Sequence, residues 1–238
     1  MFSPYGLEII ESCLSCKMRG EHTFCDLSRY ALQELEKMIL PTTYPRGAVL
    51  FVEGQTPRGL FVLCRGRVKL SISSREGKIF ILKVAQAGEV LGLGATVSGK
   101  GYDLCAETID PCQVNFIKRT DFLRFMKEQP EVCFRVAELL SQKYNHVFHE
   151  IRSLLMHSPS GKLARLLQDW ISRNGAAPQE EPRLTFVLTR DEIAQKIGTS
   201  RGTVTRVLRD LKQQEIIQPK GATVLIRNKA ALRSMAAL

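Results

Sequence analysis

A short stretch near the C-terminal end, residues 189–211, constrains the fold of this chain more than any other feature. Thr189 and Glu192 have the spacing of a capping box, which predicts that a helix begins there. Gly198 is expected to end this helix, and Ser200 can cap a second helix almost at once. The sequence therefore predicts two helices that are joined by a tight turn.

The second of these helices has two faces of different chemistry. An apolar face repeats at helical spacing, and basic and hydroxyl side chains occupy the other side. This pattern after a tight turn is typical of a recognition helix in the DNA major groove, where arginine reads guanine and hydroxyl or lysine side chains bind phosphates. A structural hairpin with a solvated basic face is the alternative. The candidate DNA contacts of this helix and the strand after it are Arg201, Thr203, Thr205, Arg206, Arg209 and Lys220.

The charge of the chain agrees with a polyanionic partner. The formal net charge is +10, and residues 158–238 hold 14 Lys and Arg against 7 Asp and Glu. Nucleic acid is the first candidate and an anionic membrane surface is the second. The N-terminus lacks the pattern of a signal peptide, and no apolar stretch is long enough to span a bilayer. We therefore expect a soluble, cytoplasmic protein without a membrane association. No Ser/His/Asp set, phosphate-binding glycine loop or carboxylate pair predicts an enzyme.

The N-terminal half has the pattern of a small antiparallel β domain. Residues 40–118 contain short β-branched and aromatic runs that glycines separate, which predicts a barrel or jelly roll. The fold class is therefore α+β. We predict four zones: a cysteine-bearing segment at 1–28, a β-barrel sensor domain at 29–119, a long helix at 120–157 and a DNA-binding domain at 158–238.

The long helix carries an uncharged a/d stripe that favours self-association. A second apolar line, Val132, Val136 and Leu139, runs beside the stripe. One line can face the barrel while the other faces a second copy, so we predict a dimerisation helix, with packing on the chain's own barrel as the alternative. The predicted dimer contacts are Ala137, Leu140, Tyr144, Val147, Ile151 and Leu154.

Cysteines cluster at the N-terminus. Three of the seven, Cys13, Cys16 and Cys25, lie within the first 25 residues. An odd number in a chain that we expect in the cytosol argues against a disulfide framework. The cluster predicts metal or redox chemistry, and zinc or a thiol switch would use the same residues.

The chain resembles the Crp/Fnr transcription regulators over nearly its whole length. Residues 189–194 (TRDEIA) and 198–206 (GTSRGTVTR) carry the resemblance, together with the order of barrel, long helix and helix-turn-helix. It implies a cyclic-nucleotide-binding-like barrel, a winged helix-turn-helix, and a homodimer that binds palindromic double-stranded DNA and RNA polymerase. It also implies that Arg201 and Arg206 read bases. Contacts to the DNA backbone are implied for Thr189, Ser200 and Arg209. Family members commonly have Glu at the position of Gly202, so the half-site of this protein is expected to differ.

Two branches of the family suggest different signals. The cyclic-nucleotide branch holds the phosphodiester with a barrel arginine, but no arginine lies between Arg75 and Arg119 here, and Lys100 lacks the guanidinium fork. Cyclic nucleotide is therefore disfavoured. A small organic ligand in the barrel is the second hypothesis for the signal.

The Fnr branch holds a 4Fe–4S cluster on three N-terminal cysteines and one barrel cysteine. By this resemblance the ligands are Cys13, Cys16, Cys25 and Cys112, with Cys105 as the rival to Cys112. The second gap is eight residues here, whereas five is usual in this branch. Cys64 and Cys133 are expected to be packed thiols in the core.

Overall fold

The computed structural model describes residues 4–7, 9–10, 12–16, 25–173, 183–185, 188–220 and 223–237. The side chains of residues 154, 173, 183–185, 220 and 237 lie outside this description. The chain divides into two compact units, Met1–Asn145 and His146–Leu238. The division lies inside the long helix, whereas the sequence predicts a boundary after residue 157. The reason is that the last turns of this helix contact the second unit, where Lys196 Nζ donates to Glu150 Oε2 at 2.8 Å.

The elements of the first unit begin with a short helix, and eight strands follow it. Ser28 caps helix α1 (Arg29–Met38) by accepting a hydrogen bond from the Ala31 amide at 3.3 Å. The strands are β1 (Ile39–Tyr44), β2 (Val49–Phe51), β3 (Gly59–Arg65), β4 (Arg67–Ser73), β5 (Ile79–Gln86), β6 (Val90–Leu91), β7 (Cys105–Thr108) and β8 (Cys112–Lys118). A one-and-a-half-turn helix, α2 (Leu93–Ser98), lies between β6 and β7.

These strands form two antiparallel sheets of four strands each, in the orders β1-β8-β3-β6 and β2-β7-β4-β5. The two sheets pack on each other as a jelly roll, which confirms the predicted fold class, although the sheets do not close into a barrel. Aromatic side chains fill the space between them. Tyr102 stacks on Phe51 with ring centroids 4.1 Å apart, and its hydroxyl donates to the Gly59 carbonyl at 2.6 Å.

The sheet that contains β3 and β8 has apolar side chains on both faces. Its inner face meets the other sheet, and its outer face is covered by α1. Leu32 and Leu35 of α1 are almost fully buried on this outer face, where they join Leu60 and Ile117. Burial of each such side chain stabilises the fold by about 1.5–3 kcal/mol.

The helical segment after β8 is broken into two helices. The sequence predicts one helix from residue 120, but the structure has α3 (Arg119–Glu128) and α4 (Pro130–Met156). Pro130 supplies no amide hydrogen and disfavours a helical conformation at Gln129, which is extended at φ −127° and ψ 94°. The proline instead begins α4, a position in which it is well tolerated.

The second unit is a winged helix-turn-helix, as predicted. Its elements are α5 (Pro159–Arg173), β9 (Arg183–Thr185), α6 (Arg190–Ile197), α7 (Arg201–Gln213), β10 (Ile217–Lys220), β11 (Thr223–Ile226) and α8 (Lys229–Ala237). The three strands pair in the antiparallel order β10-β11-β9. Residue 221 of the predicted hairpin turn lies outside the described residues.

Helix α8 is absent from the sequence-based prediction. It packs on α5 through Leu232, which is fully buried, and Gly161 gives the two helices room for close approach. No helix in the described part of the chain is long and apolar enough to span a membrane.

Candidate DNA-binding helix and cysteine cavity

The helix-turn-helix is held by the local bonds that the sequence predicts. At the start of α6, Thr189 Oγ1 accepts from the Glu192 amide at 3.2 Å, and Glu192 Oε2 accepts from the Thr189 amide at 2.9 Å. Gly198 ends α6 in the left-handed conformation at φ 64°. Ser200 then caps α7 by accepting from the Thr203 amide at 3.1 Å. All four residues therefore have the structural roles that were predicted for them.

Helix α7 presents one buried and one solvent-facing side. Val204, Val207 and Leu211 are buried in the second unit. The predicted contact residues on the opposite side are exposed, namely Arg201, Thr205, Arg206 and Arg209, with Thr203 partly buried beside them. The helix can therefore contact a groove without losing the contacts that anchor it.

Weak ion pairs surround the arginines of this face. Arg201 lies 3.4 Å from Asp191 and Arg209 lies 3.5 Å from Asp210, and all four side chains are largely exposed. Arg206 pairs with no acidic residue among those the structure describes. Exposed pairs of this kind contribute little free energy, so DNA can replace these partners at small cost. The Lys220 side chain lies outside the description.

The first unit contains a cavity that four cysteines line. Cys13, Cys16 and Cys25 meet Cys64 there, and Asn115 supplies a polar group. The cavity is partly open to solvent. The remaining lining residues are Ile10, Leu32, Leu35, Ile39, Val62, Leu63, Gly88 and Ile117. The cavity lies between the N-terminal segment, α1 and the outer face of the β1-β8-β3-β6 sheet.

Polar side chains fasten the N-terminal segment over this cavity. The buried Gln113 of β8 accepts from the Ile10 amide at 2.8 Å and donates to the Ile10 carbonyl at 2.7 Å. Glu36 of α1 accepts from the Ser12 hydroxyl at 2.6 Å and from the Leu14 amide at 3.2 Å. The hydrogen bond from Ser12 is the main reason that the pKa of Glu36 is lowered. These clamps lie on both sides of the cavity and hold Cys13 against the sheet.

The structure does not bring the predicted ligand Cys112 to the other three cysteines. Side chains of β8 alternate between the two faces of the sheet, and Cys112 points inward with Val114 and Phe116. Its thiol lies 3.2 Å from the Asp110 carbonyl and 3.4 Å from the Arg67 carbonyl. The rival Cys105 is in the other sheet, where it accepts from the Glu53 amide at 3.3 Å.

Cys64 is buried, as the sequence predicts, but it also lines the cavity, where the resemblance implied Cys112. A β-bulge between Leu63 and Arg65 makes Cys64 the extra residue of β3. Bulges redirect side chains, and this one presents the Cys64 thiol toward Cys13, Cys16 and Cys25. The other thiol expected in the core, Cys133, is instead exposed on α4.

Burial makes the thiols of Cys13, Cys25 and Cys64 weaker acids by raising their pKa. It raises the pKa of Cys13 to about 12, and the neighbouring Cys25 adds to this effect. Burial likewise raises the pKa of Cys25 to about 11 and that of Cys64 to about 12, where the nearby Cys13 contributes second. The Asn115 amide opposes the shift at Cys13, to whose sulfur it donates at 3.7 Å. A metal that binds these sulfurs must therefore displace protons.

The four thiols surround the cavity and do not converge on one point. Among the described residues, no three His, Cys, Asp or Glu side chains are placed to hold a single metal ion. Asn115 Oδ1 is buried on the cavity wall, and it has no hydrogen-bond partner in the described structure. A buried acceptor without a donor is costly, so a further donor at this point of the cavity wall would be favourable.

Each of the two units contains a match to a known domain family. Residues 161–235 match the Crp-like helix-turn-helix domain, and residues 41–129 match the cyclic nucleotide-binding domain. The CRP-like cAMP-activated global transcriptional regulator of Mycobacterium tuberculosis is 25% identical over 202 residues, which cover 85% of this chain and 90% of that protein. The chain belongs to the Crp/Fnr family of transcription regulators.

Two solved structures share the fold of this Crp/Fnr protein. FixK2 from Bradyrhizobium japonicum has a TM-score of 0.74 and 20% identity, over 84% of this chain and 98% of its own. The c-di-GMP responsive global regulator CLP from Xanthomonas campestris also has a TM-score of 0.74, with 17% identity over 84% and 99% of the two chains. The Mycobacterium tuberculosis regulator is named for cAMP and CLP for c-di-GMP, so membership in the Crp/Fnr family does not by itself identify the signal.

The predicted dimerisation stripe of the Crp/Fnr protein lies on an accessible side of α4. Val132 and Val136 are buried against the jelly roll, as the second apolar line predicts. Ala137 is exposed, Leu140 packs partly on the core, and the Leu154 side chain lies outside the description. The other stripe residues, Tyr144, Val147 and Ile151, are 65%, 52% and 47% exposed. Such a large apolar surface is characteristic of an interface.

Proposed function

We propose that this Crp/Fnr regulator senses oxygen, nitric oxide or redox state through a 4Fe–4S cluster on its N-terminal cysteines. The observation that carries the proposal is the four-cysteine cavity, in which Cys13, Cys16 and Cys25 of one short segment meet a thiol from the jelly roll. Thiolates are the usual ligands of iron–sulfur clusters, which take four cysteines. A cluster of several irons also suits thiols that surround a space and do not converge on one ion.

The cluster would supply a group that oxidants can destroy, and the residues of this chain would transmit its loss. Cys25 is followed directly by residues that contact α4. The Ser28 amide donates to Glu131 at 2.7 Å, and Asp26 pairs with Arg135 at 3.2 Å. A displacement of Cys25 therefore reaches the predicted dimerisation helix through two polar contacts. Release of a segment on loss of a ligand is a common form of protein switch.

On DNA, we propose that a homodimer places one α7 in each of two successive major grooves. The exposed apolar stripe of α4 supports the dimer, because its residues would otherwise remain in water. A two-fold dimer requires a palindrome with half-site centres about 34 Å apart. By the family resemblance, Arg201 and Arg206 would read bases, and Thr189, Ser200 and Arg209 would bind the DNA backbone.

The packing of the jelly roll argues against a cyclic nucleotide or another organic ligand at its centre. Phe51 contacts both Tyr102 and Phe61 there, with ring centroids 4.1 and 5.7 Å apart. The sequence offers no arginine between Arg75 and Arg119, and Arg119 itself donates to the Thr96 carbonyl at 2.9 Å. Aromatic rings therefore occupy this part of the space between the sheets and Arg119 already has a carbonyl partner, which disfavours an anionic ligand there.

The absorbance spectrum of protein purified without oxygen tests the proposed cluster. A 4Fe–4S protein has a broad band near about 400 nm from charge transfer between sulfur and iron. We expect this band, with equal amounts of iron and acid-labile sulfide, and we expect air to bleach it. Protein that contains one zinc and no iron would contradict the proposal and would favour a zinc site. Metal-free protein with a reversible thiol oxidation would favour a thiol switch.

A further inference from the structure

We infer that Cys64, and not Cys112, completes the ligand set of Cys13, Cys16 and Cys25. This inference rests on the proposed function and specifies its metal site. The fourth ligand must come from the folded body of the first unit, because the N-terminal segment supplies only three of the described cysteines. The candidates in that body are Cys64, Cys105, Cys112 and Cys133, and they lie on different faces.

The alternation of side chains along β8 excludes Cys112. Gln113 and Asn115 point outward, where they contact Ile10 and Cys13 of the N-terminal segment. Cys112 has the opposite parity and is fully buried in the core between the sheets. To reach the cavity, β8 would have to slip by one residue, and every side chain of the strand would then change faces. Gln113 would enter the apolar core and lose both of its hydrogen bonds.

The neighbourhood of Cys112 leaves no room for such a change. The left-handed Gly66, at φ 84°, packs against it so closely that an added Cβ would lie 2.6 Å from the Cys112 sulfur. The thiol also faces the carbonyls of Arg67 and Asp110, which are acceptors for its proton. Cys112 is therefore a packed core thiol with satisfied contacts.

Cys64 has the opposite character. It lies on the bulge of β3 and lines the cavity together with the three N-terminal cysteines. Its thiol donates a long hydrogen bond, 3.6 Å, to the Val62 carbonyl of its own strand, and its sulfur accepts from the Asn115 backbone amide, a bond that a thiolate could keep. Replacement of the thiol proton by iron would thus break no strong interaction. Leu63 and Arg65 on either side of it pair with β8, so the sheet holds Cys64 as an anchor for a ligand set whose other members are on one short segment.

Asn115 adds a positioning contact to this ligand set. Its amide nitrogen lies 3.7 Å from the Cys13 sulfur, and its side-chain oxygen has no hydrogen-bond partner among the described residues. An N–H group that donates to a thiolate stabilises the negative charge of the sulfur. Asn115 therefore orients Cys13 from the same outer face on which Cys64 lies.

Anaerobic reconstitution of single-cysteine variants tests the assignment. We compare Cys64→Ser with Cys112→Ser, and use Cys105→Ser and Cys133→Ser as matched controls away from the cavity. Iron and sulfide per protein are measured, together with the circular dichroism spectrum of each variant. We expect Cys64→Ser to lose at least most of its iron while its circular dichroism spectrum stays unchanged. The other three variants are expected to bind as much iron as the parent protein does. Full loading of Cys64→Ser together with loss in Cys112→Ser would overturn the inference and leave the proposed sensor intact.

A second measurement on cluster-free protein covers the case of a variant that does not fold. A short bifunctional thiol reagent is added to the reduced parent protein, and the linked peptides are identified by mass. We expect links from Cys64 to Cys13, Cys16 or Cys25. Links that join these residues to Cys112 and omit Cys64 would refute the assignment. A parent protein that never binds iron would refute the proposed function, whereas the linkage pattern would still report which thiols meet.

Discussion

The clamp formed by Gln113 gives a prediction that separates local from global stability. Substitution Gln113→Met keeps the length of the side chain but removes both hydrogen bonds to Ile10. Each bond contributes about 0.5–1.5 kcal/mol, so the N-terminal segment should lose about 1–3 kcal/mol of its attachment to the sheet. Gln113 is 0% exposed, and an apolar methionine leaves no unpaired polar group on β8. The Ile10 amide and carbonyl lose their partners, and this cost falls on the N-terminal segment, so the free energy of global unfolding should change little.

Amide hydrogen exchange at Ile10 measures this attachment directly. A loss of about 1–3 kcal/mol corresponds to roughly 5- to 150-fold faster exchange, because every 1.4 kcal/mol changes an equilibrium tenfold. Denaturant unfolding of the first unit serves as the global measurement. The matched control is Gln33→Met, the same change at an exposed position of α1. Unchanged exchange at Ile10 in Gln113→Met, or an equal increase in the control, would refute the clamp.

Three further variants test the second unit and the dimer. Thr189→Ala removes the cap of α6 and should lower the unfolding free energy of the second unit by about 1 kcal/mol. The same change at Thr205, which is exposed inside α7 and caps no helix, should not, and equal effects in denaturant titrations would contradict the role of Thr189 as a cap. Arg206→Ala should weaken operator binding by about 1–3 kcal/mol and random DNA much less, and equal losses would remove Arg206 as a base reader. Val147→Asp should give monomers in sedimentation because it buries like charges at a two-fold axis, and a persisting dimer would place the interface elsewhere.

The DNA-binding unit could be predicted well because its signals are local. The capping box at Thr189, the left-handed Gly198 and the cap at Ser200 act within a few residues of their position in the chain. Each requires a particular residue type at one position, which the sequence shows directly. The face that α7 buries follows in the same way from the spacing of its apolar residues.

The fourth cysteine of the cavity could not be found by resemblance alone. An alignment places Cys112 at a position along the chain, but it does not give the face of the strand on which the thiol lies. The alternation of β8 was readable, since the polar Gln113 and Asn115 alternate with the apolar Val114 and Phe116. The bulge that exposes Cys64 to the cavity depends on pairing with β8, a contact between distant parts of the chain. No local pattern specifies it.

Two helical features show the same difference between local signals and contacts made by distant parts of the chain. The break between α3 and α4 follows from Pro130 and could have been read from the sequence, because a proline restricts the residue before it. Helix α8 is short, and it is held by burial of Leu232 against α5. Its stability depends on tertiary packing more than on its own sequence.

A redox-labile group in the cysteine cavity is proposed to control DNA binding. One anaerobic preparation tests this, through its affinity for a palindromic operator before and after air removes its iron, with the oligomeric state followed by sedimentation. We predict a dimer in both states and a change in affinity of roughly 5- to 150-fold, the usual range of coupling between two sites. Equal affinities with and without the iron would contradict this control.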